Sequence, residues 1–319
     1  MEAKYQEIAD QVEPMLITGA AQGTAKWHEI RKYTIGGSSL ATIIGANKYE
    51  SLESFLLARI NGAFKTSPAI QWGSTFEQVI KSYIERTEHT RIVYDDAICS
   101  PRECCTYSPD GLAVIHGKIV LLEFKCPYSR FPRAGVPDYY LPQILMGLDT
   151  FHCAEYALFI EAVFRYCEFD KYDARDYHDQ INDTDKMAAF DPQARGALCF
   201  NAHDPEHELA NIYDVFDYDL ARVQEVQEEV FEEYTRGNLD CEIFWGDSAI
   251  TEARAYLDPD TGVGILAWKL LFAKKKRVDR VAGYIDQHYD KIQRAVSILR
   301  EVGELPTRER KKRINELLA

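Results

Sequence analysis

The stretch SPDGLAVIHGKIVLLEFK, residues 108–125, predicts two β-strands joined by a tight turn. Apolar runs lie on both sides of His116-Gly117, a dipeptide that suits a hairpin turn. In the second strand alternate side chains share a face, so Glu123 and Lys125 point the same way. Both faces are otherwise apolar, which predicts a buried central strand carrying a carboxylate and an ammonium group.

Asp110 stands at the foot of the same hairpin, where it can approach Glu123 across the two strands. Charges inside a sheet are costly unless they are paired or bind an ion. Carboxylate oxygens suit Mg²⁺ or Mn²⁺, and a lysine beside such a metal can orient or deprotonate a water that hydrolyses a phosphodiester. The alternative is a turn aspartate next to an ordinary buried Glu–Lys ion pair.

The net charge of −14 is spread unevenly along the 319 residues. Residues 1–150 carry 15 basic and 17 acidic residues, residues 151–262 carry 8 and 27, and residues 263–319 carry 14 and 7. A protein that coats nucleic acid by bulk attraction needs positive potential, so this class is excluded, whereas a small local nucleic-acid site is not. The acidic middle is rich in Tyr and Phe, which predicts a folded surface.

Membrane and disulfide-rich secreted proteins are also excluded. No apolar run approaches the length of a membrane span and no signal-peptide stretch follows Met1, so we expect a soluble, intracellular protein without a membrane partner. The 8 cysteines form no C-x-x-C pair and are expected to be reduced thiols. An iron–sulfur site at Cys99, Cys104 and Cys105 is the alternative.

Periodicity and turn signals predict an α+β fold with a central mixed sheet. A helix capped by Ser51 should end at Asn61-Gly62, and an amphipathic helix should begin near Trp72. The remaining predicted elements are strands at 91–94, 104–108, 112–115, 119–125, 156–160 and 163–169, with a helix at about 139–149.

We predict one elaborated domain over 1–319, since no repeat or linker divides the chain. Its parts are a core at about 24–170, an acidic insertion or extension at about 171–262 and a basic, helical C-terminal part at about 263–319. The basic clusters 274–277 and 308–313 are expected on or beside helices. They could be solvated helix faces, extra DNA contacts or a nuclear-targeting signal.

Four segments, in order, resemble the PD-(D/E)XK nuclease superfamily, and within it lambda exonuclease and the YqaJ-type viral recombinases. They are WHEIRKYTIGGS (27–38), WGSTFE (72–77), SPDGL (108–112) with LEFKCP (122–127), and Gln143 followed by ILMG. The resemblance implies a restriction-endonuclease-like core, in which helices flank the central mixed sheet, with additional C-terminal helices.

The resemblance also implies a role for each matching residue of the hairpin. Asp110, Glu123 and the backbone carbonyl of Phe124 would bind Mg²⁺, for which Mn²⁺ would substitute. Lys125 would position and activate the attacking water.

The other matching segments would complete the catalytic site and add a phosphate site. Glu77 would support a metal directly or through water, and Gln143 would help hold the nucleophile. Arg31 and Ser38 would grip the 5′-phosphate of a DNA end at a helix N-terminus, and Ser108 would donate to a backbone phosphate. Taken alone, these residues would be surface side chains and an ordinary Gly-Gly turn with a serine cap.

The function implied is a metal-dependent exonuclease that hydrolyses double-stranded DNA from 5′ ends and leaves 3′ single strands for recombination. The partners implied are DNA with free ends, a single-strand annealing protein and further copies of the chain in a ring-shaped trimer. A viral protein of this kind would act in the host cytoplasm or nucleus. The alternatives are a structure- or site-specific endonuclease of the same superfamily and a non-catalytic scaffold that binds DNA ends.

Overall fold

The computed structural model describes residues 1–20, 24–62, 67–132, 134–167, 169, 172–173, 193–207, 209 and 229–319. The α-helices with printed bounds are α1 (Glu2–Val12), α2 (Ala25–Lys32), α3 (Gly37–Ile44), α4 (Leu52–Asn61), α5 (Pro68–Glu88), α6 (Leu141–Thr150), α7 (Ala249–Tyr256), α8 (Tyr284–Gly303) and α9 (Thr307–Leu318). A 3₁₀ turn at Glu13–Met15 follows α1, and residues 229–235 are also helical.

The strands form two sheets in the described part of the chain. They are β1 (Ile35–Gly36), β2 (Ile92–Val93), β3 (Cys99–Arg102), β4 (Cys105–Tyr107), β5 (Gly111–Ile115), β6 (Lys118–Lys125), β7 (Tyr156–Tyr166), β8 (Ala194–Ala202), β9 (Leu239–Trp245) and β10 (Gly262–Val278). The large sheet has the order β2-β5-β6-β7-β10-β8-β9, and the small sheet has the order β1-β4-β3.

The large sheet is mixed and has helices on both faces. β6 and β7 run parallel, whereas the other neighbouring strands run antiparallel. One hydrophobic core packs α1, α3, α4, α6, α8 and α9 against one face, and a second packs α5 and residues 229–235 against the other. The α+β class with a central mixed sheet, flanking helices and additional C-terminal helices is therefore confirmed.

The β5–β6 hairpin forms as its sequence predicts. His116 and Gly117 both adopt positive φ angles, 49° and 75°, and close the turn. Gly111 has a φ of 147°, and a Cβ at this position would collide with a side chain of β2. Leu121 belongs to one core and Leu122 to the other, so β6 is buried on both faces.

Two predicted boundaries were wrong for local reasons. Helix α5 begins at Pro68, one turn before Trp72, because the Ser67 hydroxyl caps it by accepting from the Ile70 N–H at 3.3 Å. The predicted strands 156–160 and 163–169 are instead a single strand, β7, that ends at Tyr166. The charge of Glu161 interrupts its apolar run, but this carboxylate is buried against cationic partners and the strand continues through it.

The C-terminal basic part is not wholly helical, contrary to expectation. The cluster 274–277 lies in β10, which pairs with β7 on one side and β8 on the other. Lys275, Lys276 and Arg277 each pair with a carboxylate, so these charges are compatible with a strand. The cluster 308–313 does lie on a helix, α9.

All three charge regions contribute strands to the large sheet. β2, β5 and β6 come from the near-neutral first half, β7, β8 and β9 from the acidic middle and β10 from the C-terminal part and the residue before it.

None of the helices in the described part has both the length and the apolar character that a membrane span requires.

Two helix glycines should respond oppositely to replacement by alanine. At Gly147 in α6 an added Cβ would collide with Tyr107 and Leu121, so Gly147→Ala should lower the free energy of unfolding by about 1–3 kcal/mol. At Gly73 in α5 nothing beyond its own helix lies within 4 Å, so Gly73→Ala should raise it by about 0.5–1 kcal/mol. Urea unfolding measures the free energy change in each variant. Changes of the same sign and size in the two variants would contradict the packing described for α6.

Candidate active site

Asp110, Glu123 and Lys125 meet at the open end of the β5–β6 hairpin. The hairpin register places Asp110 beside Glu123, and the Phe124 N–H donates to Asp110 Oδ2 at 2.7 Å. Lys125 Nζ lies 2.5 Å from Glu123 Oε1 and 3.9 Å from Asp110 Oδ2. The hairpin thus brings together the three residues that its sequence singled out.

Burial sets the electrostatics of this group. Glu123 is fully buried, and burial, followed by the charge of Asp110, raises its pKa to about 7. Burial also raises the pKa of Asp110, against the opposing effects of Lys125 and the Phe124 N–H. For Lys125, burial disfavours the ammonium, but Glu123 and Asp110 outweigh it and raise the pKa above its usual value. A cation near the two carboxylates would offset their burial.

One carboxylate oxygen of the group is left without a hydrogen bond. Glu123 Oε2 is buried and has no partner within hydrogen-bonding geometry among the residues that the structure describes, although the nearby Tyr107 hydroxyl partly offsets the rise in the pKa of Glu123 that burial causes. A buried carboxylate oxygen normally accepts hydrogen bonds or binds a metal ion. The donor set of Glu123, Asp110 and nearby backbone oxygen is of the hard-oxygen type that suits Mg²⁺.

A cleft of about 430 Å³ opens above the hairpin and contains the other predicted side chains. Its walls come from α2, α3, α5, α6 and the hairpin. The predicted residues that line it are Arg31, Ser38, Glu77, Ser108, Asp110, Lys125 and Gln143. Glu123 lies beneath the surface of the cleft, and segments far apart in the sequence therefore converge on one opening.

Glu77 projects from α5 into this cleft but does not complete a metal-binding cluster. Its pKa rises to about 8, first because of burial and then because of the nearby charge of Asp110. In the described ranges, no three His, Cys, Asp or Glu side chains lie close enough to hold a metal ion together. The same finding applies to the alternative iron–sulfur site, because no such cluster occurs at 99, 104 and 105.

Arg31 and Ser38 form a positively charged pocket that lines the same cleft. Arg31 Nη2 donates to Ser38 Oγ at 3.0 Å, its guanidinium lies 4.2 Å from the Trp27 ring centre, and Arg59 donates to its carbonyl at 2.6 Å. Burial, followed by the charge of Arg59, lowers the pKa of Arg31 to about 10, and in the described part no carboxylate pairs with Arg31. The first turn of α3 begins at Gly37 without a side-chain cap, and Gly36, Gly37 and Ser38 line the same cleft. Uncapped N–H groups at a helix N-terminus are suited to bind an anion.

Trp27 and Gly37 have positioning roles that the sequence alone did not reveal. Trp27 stacks with Arg31 one helical turn away, and its indole N–H donates to Ser108 Oγ at 3.5 Å. At Gly37 a Cβ would collide with Tyr107 and lie 3.3 Å from Gln143, so only glycine lets α3 approach this closely. The i, i+4 spacing of Trp27 and Arg31 was the one signal available in the sequence.

A second group of buried charges braces the strand next to Lys125. Glu161 faces Lys125 in the β6–β7 register and is fully buried. Its carboxylate lies 2.5 Å from Arg130 and 2.6 Å from Lys276. The sequence could not predict this arrangement, because Arg130 follows β6 and Lys276 lies near the end of β10.

A mixed sheet whose hairpin carries Asp110 and a Glu-x-Lys pair, with charged helix side chains around one cleft, is similar to the arrangement in the PD-(D/E)XK class of nucleases. Within that class, residues 26–154 match the YqaJ-like viral recombinase domain. This segment contains every residue predicted for the site. This match confirms the resemblance to the YqaJ-type viral recombinases drawn from the four motifs.

Curated proteins of African swine fever virus are similar to the chain. Two of them, from the Vero-adapted Badajoz strain and from a South African tick isolate, are each 31% identical over 176 residues. These alignments cover 46% of this chain and 51% of each relative. The chain thus spans about half the length of the curated relatives it matches.

Two crystal structures of LHK-Exo, an alkaline exonuclease from Laribacter hongkongensis, are distantly similar. The complex with dAMP aligns with a TM-score of 0.42 at 13% identity over 93% of this chain and 100% of that one. The second structure aligns with a TM-score of 0.38 at 12% identity over 87% and 97%. Likeness at this level supports no conclusion about this chain.

The free energy of unfolding of the metal-free protein should fall as the pH rises. The raised pKa values of Glu77 and Glu123 mean that folding favours their protonated forms, whose ordinary pKa is 4.5. Their stabilising contribution is complete below that value and is lost as the pH rises through about 7 to 8. In EDTA, the free energy of unfolding should decrease between about pH 5 and about pH 9.

Glu77→Gln should flatten that decrease, because glutamine cannot ionise. Glu29→Gln, on the exposed side of α2, is the matched control and should leave the slope unchanged. Urea titrations across the pH range measure both slopes. A Glu77→Gln slope equal to that of the parent would contradict the buried, proton-favouring position of Glu77.

Proposed function

We propose that the protein is a metal-dependent exonuclease that hydrolyses double-stranded DNA from 5′ ends and leaves 3′ single strands. The observation that carries the proposal is the cleft itself. It combines the Asp110–Glu123–Lys125 group, in which Glu123 is fully buried, with a half-buried Arg31 that has no acidic partner in the described part of the chain. The Asp–Glu–Lys group suits phosphodiester hydrolysis, and Arg31 suits binding of a terminal phosphate.

Asp110, Glu123 and the carbonyl of Phe124 would hold the metal. The unpartnered Glu123 Oε2, so far as the described residues go, and the raised pKa values of both acids fit a bound cation. Mg²⁺ is the expected ion, with Mn²⁺ as a substitute. When bound, it supplies Lewis-acid polarisation of the phosphate and lowers the pKa of a coordinated water.

Lys125 acts on the water and the phosphate as a hydrogen-bond donor. Glu123 and Asp110 keep its ammonium charged, so it orients the attacking water and offsets negative charge that develops on phosphate oxygens. The water oxygen bonds to phosphorus, the bond from phosphorus to the 3′ oxygen breaks, and that oxygen takes up a proton. Gln143 and Glu77 line the same cleft. Gln143 would help hold the water, and Glu77 would support the metal directly or through water.

The positive pocket determines which bond is cut. Arg31, Ser38 and the N–H groups at the start of α3 would hold the 5′-terminal phosphate, and Ser108 would donate to a neighbouring phosphate. An anchored end presents the next phosphodiester to Lys125, which gives one mononucleotide per cut. A closed circle has no end to anchor.

The biological setting follows from the relatives. The African swine fever virus proteins lead us to propose a viral protein that acts in an infected host cell. A single-strand annealing protein and a ring-shaped trimer are the partners that we propose from the family. The annealing protein would bind the 3′ single strands, and the trimer would increase the processivity of the enzyme. Neither would take part in the hydrolysis itself.

Removal of the hairpin groups should abolish the chemical step. Asp110→Asn, Glu123→Gln and Lys125→Ala should each lower kcat on linear duplex DNA in Mg²⁺ by about 10²–10⁴-fold, because each removes a metal ligand or the donor to the water. Release of acid-soluble nucleotide measures the rate. Undiminished activity in both Glu123→Gln and Lys125→Ala would contradict the assignment.

The same assay with circular substrates separates the alternatives. The proposed exonuclease digests linear duplex and spares closed circles, whereas an endonuclease of the same superfamily linearises them. A non-catalytic scaffold would bind ends without cutting either substrate.

Arg31→Ala should selectively impair phosphorylated ends. A charge-assisted hydrogen bond contributes about 1.5–3 kcal/mol, so digestion of 5′-phosphorylated duplex should slow by about 10- to 100-fold, with little change on a 5′-hydroxyl duplex. Lys312→Ala, at an exposed cation on α9, should leave the ratio of the two rates unchanged. An unchanged ratio in Arg31→Ala would rule out the end-anchoring role.

A further inference from the structure

Three tyrosines line the cleft of the candidate active site: Tyr49, Tyr139 and Tyr140. The rings of Tyr49 and Tyr139 meet edge to face, with centres 5.4 Å apart and planes at 82°. Tyr139 lies 4.5 Å from Tyr140, which in turn lies 5.6 Å from the buried Phe159. A continuous row of aromatic rings therefore runs from the hydrophobic core to the mouth of the cleft.

Tyr49, at the outer end of the row, is held in a defined position although its side chain is 69% exposed. Its N–H donates to Asn47 Oδ1 at 3.0 Å, and Asn47 Nδ2 donates to Thr42 Oγ1 at 3.0 Å. Thr42 donates onward to Glu50 Oε2 at 3.1 Å. The turn after α3 is thus braced by side-chain hydrogen bonds, and it presents the ring to solvent with little freedom left to lose on binding.

The surroundings of this ring fit a nucleobase attached to a phosphate. Arg31 and Ser38, the anion-binding side chains, line the same cleft, and the ammonium of Lys48 lies 5.1 Å from the centre of the Tyr49 ring. A volume of about 430 Å³ is of the size that holds a small molecule or one nucleotide. Aromatic faces next to cations are the surface on which bases of single strands stack.

We propose that Tyr49, backed by Tyr139, stacks on the base of the 5′-terminal nucleotide while Arg31 and Ser38 hold its phosphate. This inference rests on the proposed nuclease function and adds a contact to the base, which the catalytic groups do not touch. Every base has an aromatic face, so the contact accepts all four bases. It also separates the terminal base from its complement, because a base cannot stack in the cleft while it remains paired in the duplex.

Binding of an uncut end tests the stacking directly. The protein carries Asp110→Asn to prevent cleavage, and the probe is a 5′-phosphorylated duplex with 2-aminopurine as its first base, whose fluorescence falls on stacking. Tyr49→Ala should abolish the quenching that binding produces and weaken binding by about 5- to 100-fold, whereas Tyr49→Trp should keep both. Tyr256→Ala is the matched control, because Tyr256 on α7 is also exposed and does not line the cleft.

A duplex whose first nucleotide lacks a base isolates the contact. Tyr49→Ala should bind this end as well as the parent does, because no base is there to stack. Equal weakening on the normal and the abasic end would overturn the proposal, and so would quenching that persists in Tyr49→Ala. Unfolding midpoints of both tyrosine variants show whether the fold is kept.

The outcome is distinguishable from that of the nuclease proposal. Quenching that depends on Tyr49 in a protein that cuts no DNA would support the stacking and refute the enzyme. Cleavage that depends on Glu123 and Lys125 but not on Tyr49, together with unaltered quenching, would refute the stacking alone.

Discussion

A fully buried carboxylate, paired with a half-buried ammonium group in a central strand, is the constraint around which the rest of the structure is arranged. Glu123 is fully inaccessible, and one of its oxygens has the Lys125 ammonium at 2.5 Å. Burial of such a pair costs more than the pair returns unless other groups complete it. Asp110 completes it from the neighbouring strand, with an excess of negative charge that a cation would neutralise. The helices around the hairpin leave a cleft at this point, so the uncompensated charge is reachable from solvent.

The same cleft contains groups suited to bind a cation and groups suited to bind an anion. The floor collects carboxylates for a cation, whereas the wall formed by α2 and α3 places Arg31 and helix N–H groups where an anion can bind. A net charge of −14 does not conflict with this, because the acidic excess lies in 151–262 and outside the segment that carries the site. A negative body also weakens binding along the length of a duplex. In the function that we propose, affinity would thereby be concentrated in the few contacts of the cleft, which would favour ends over continuous DNA.

The features that could be predicted from the sequence are those whose cause is local. The hairpin turn, the Ser51 cap and the alternation in β6 depend on neighbouring residues, and the structure has them where the sequence places them. The positions of Trp27 over Arg31 and of Glu161 between two cations depend on segments that are distant in the chain. The basic run in β10 was mistaken for helix because a charged run carries no strand period, and its partners in other elements are invisible in a single sequence.

The side chains of the cleft also bear on sequence preference. Asn and Gln are the side chains that read adenine edges, and Asn47 lines the cleft. Both ends of its amide are already engaged, since Oδ1 accepts from Tyr49 and Nδ2 donates to Thr42. The groups that remain around an incoming nucleotide are aromatic rings, hydroxyls and cations, which recognise the π-face and the phosphate of any base alike. In the function that we propose, such a site would recognise the end of a DNA strand and would not distinguish its terminal base.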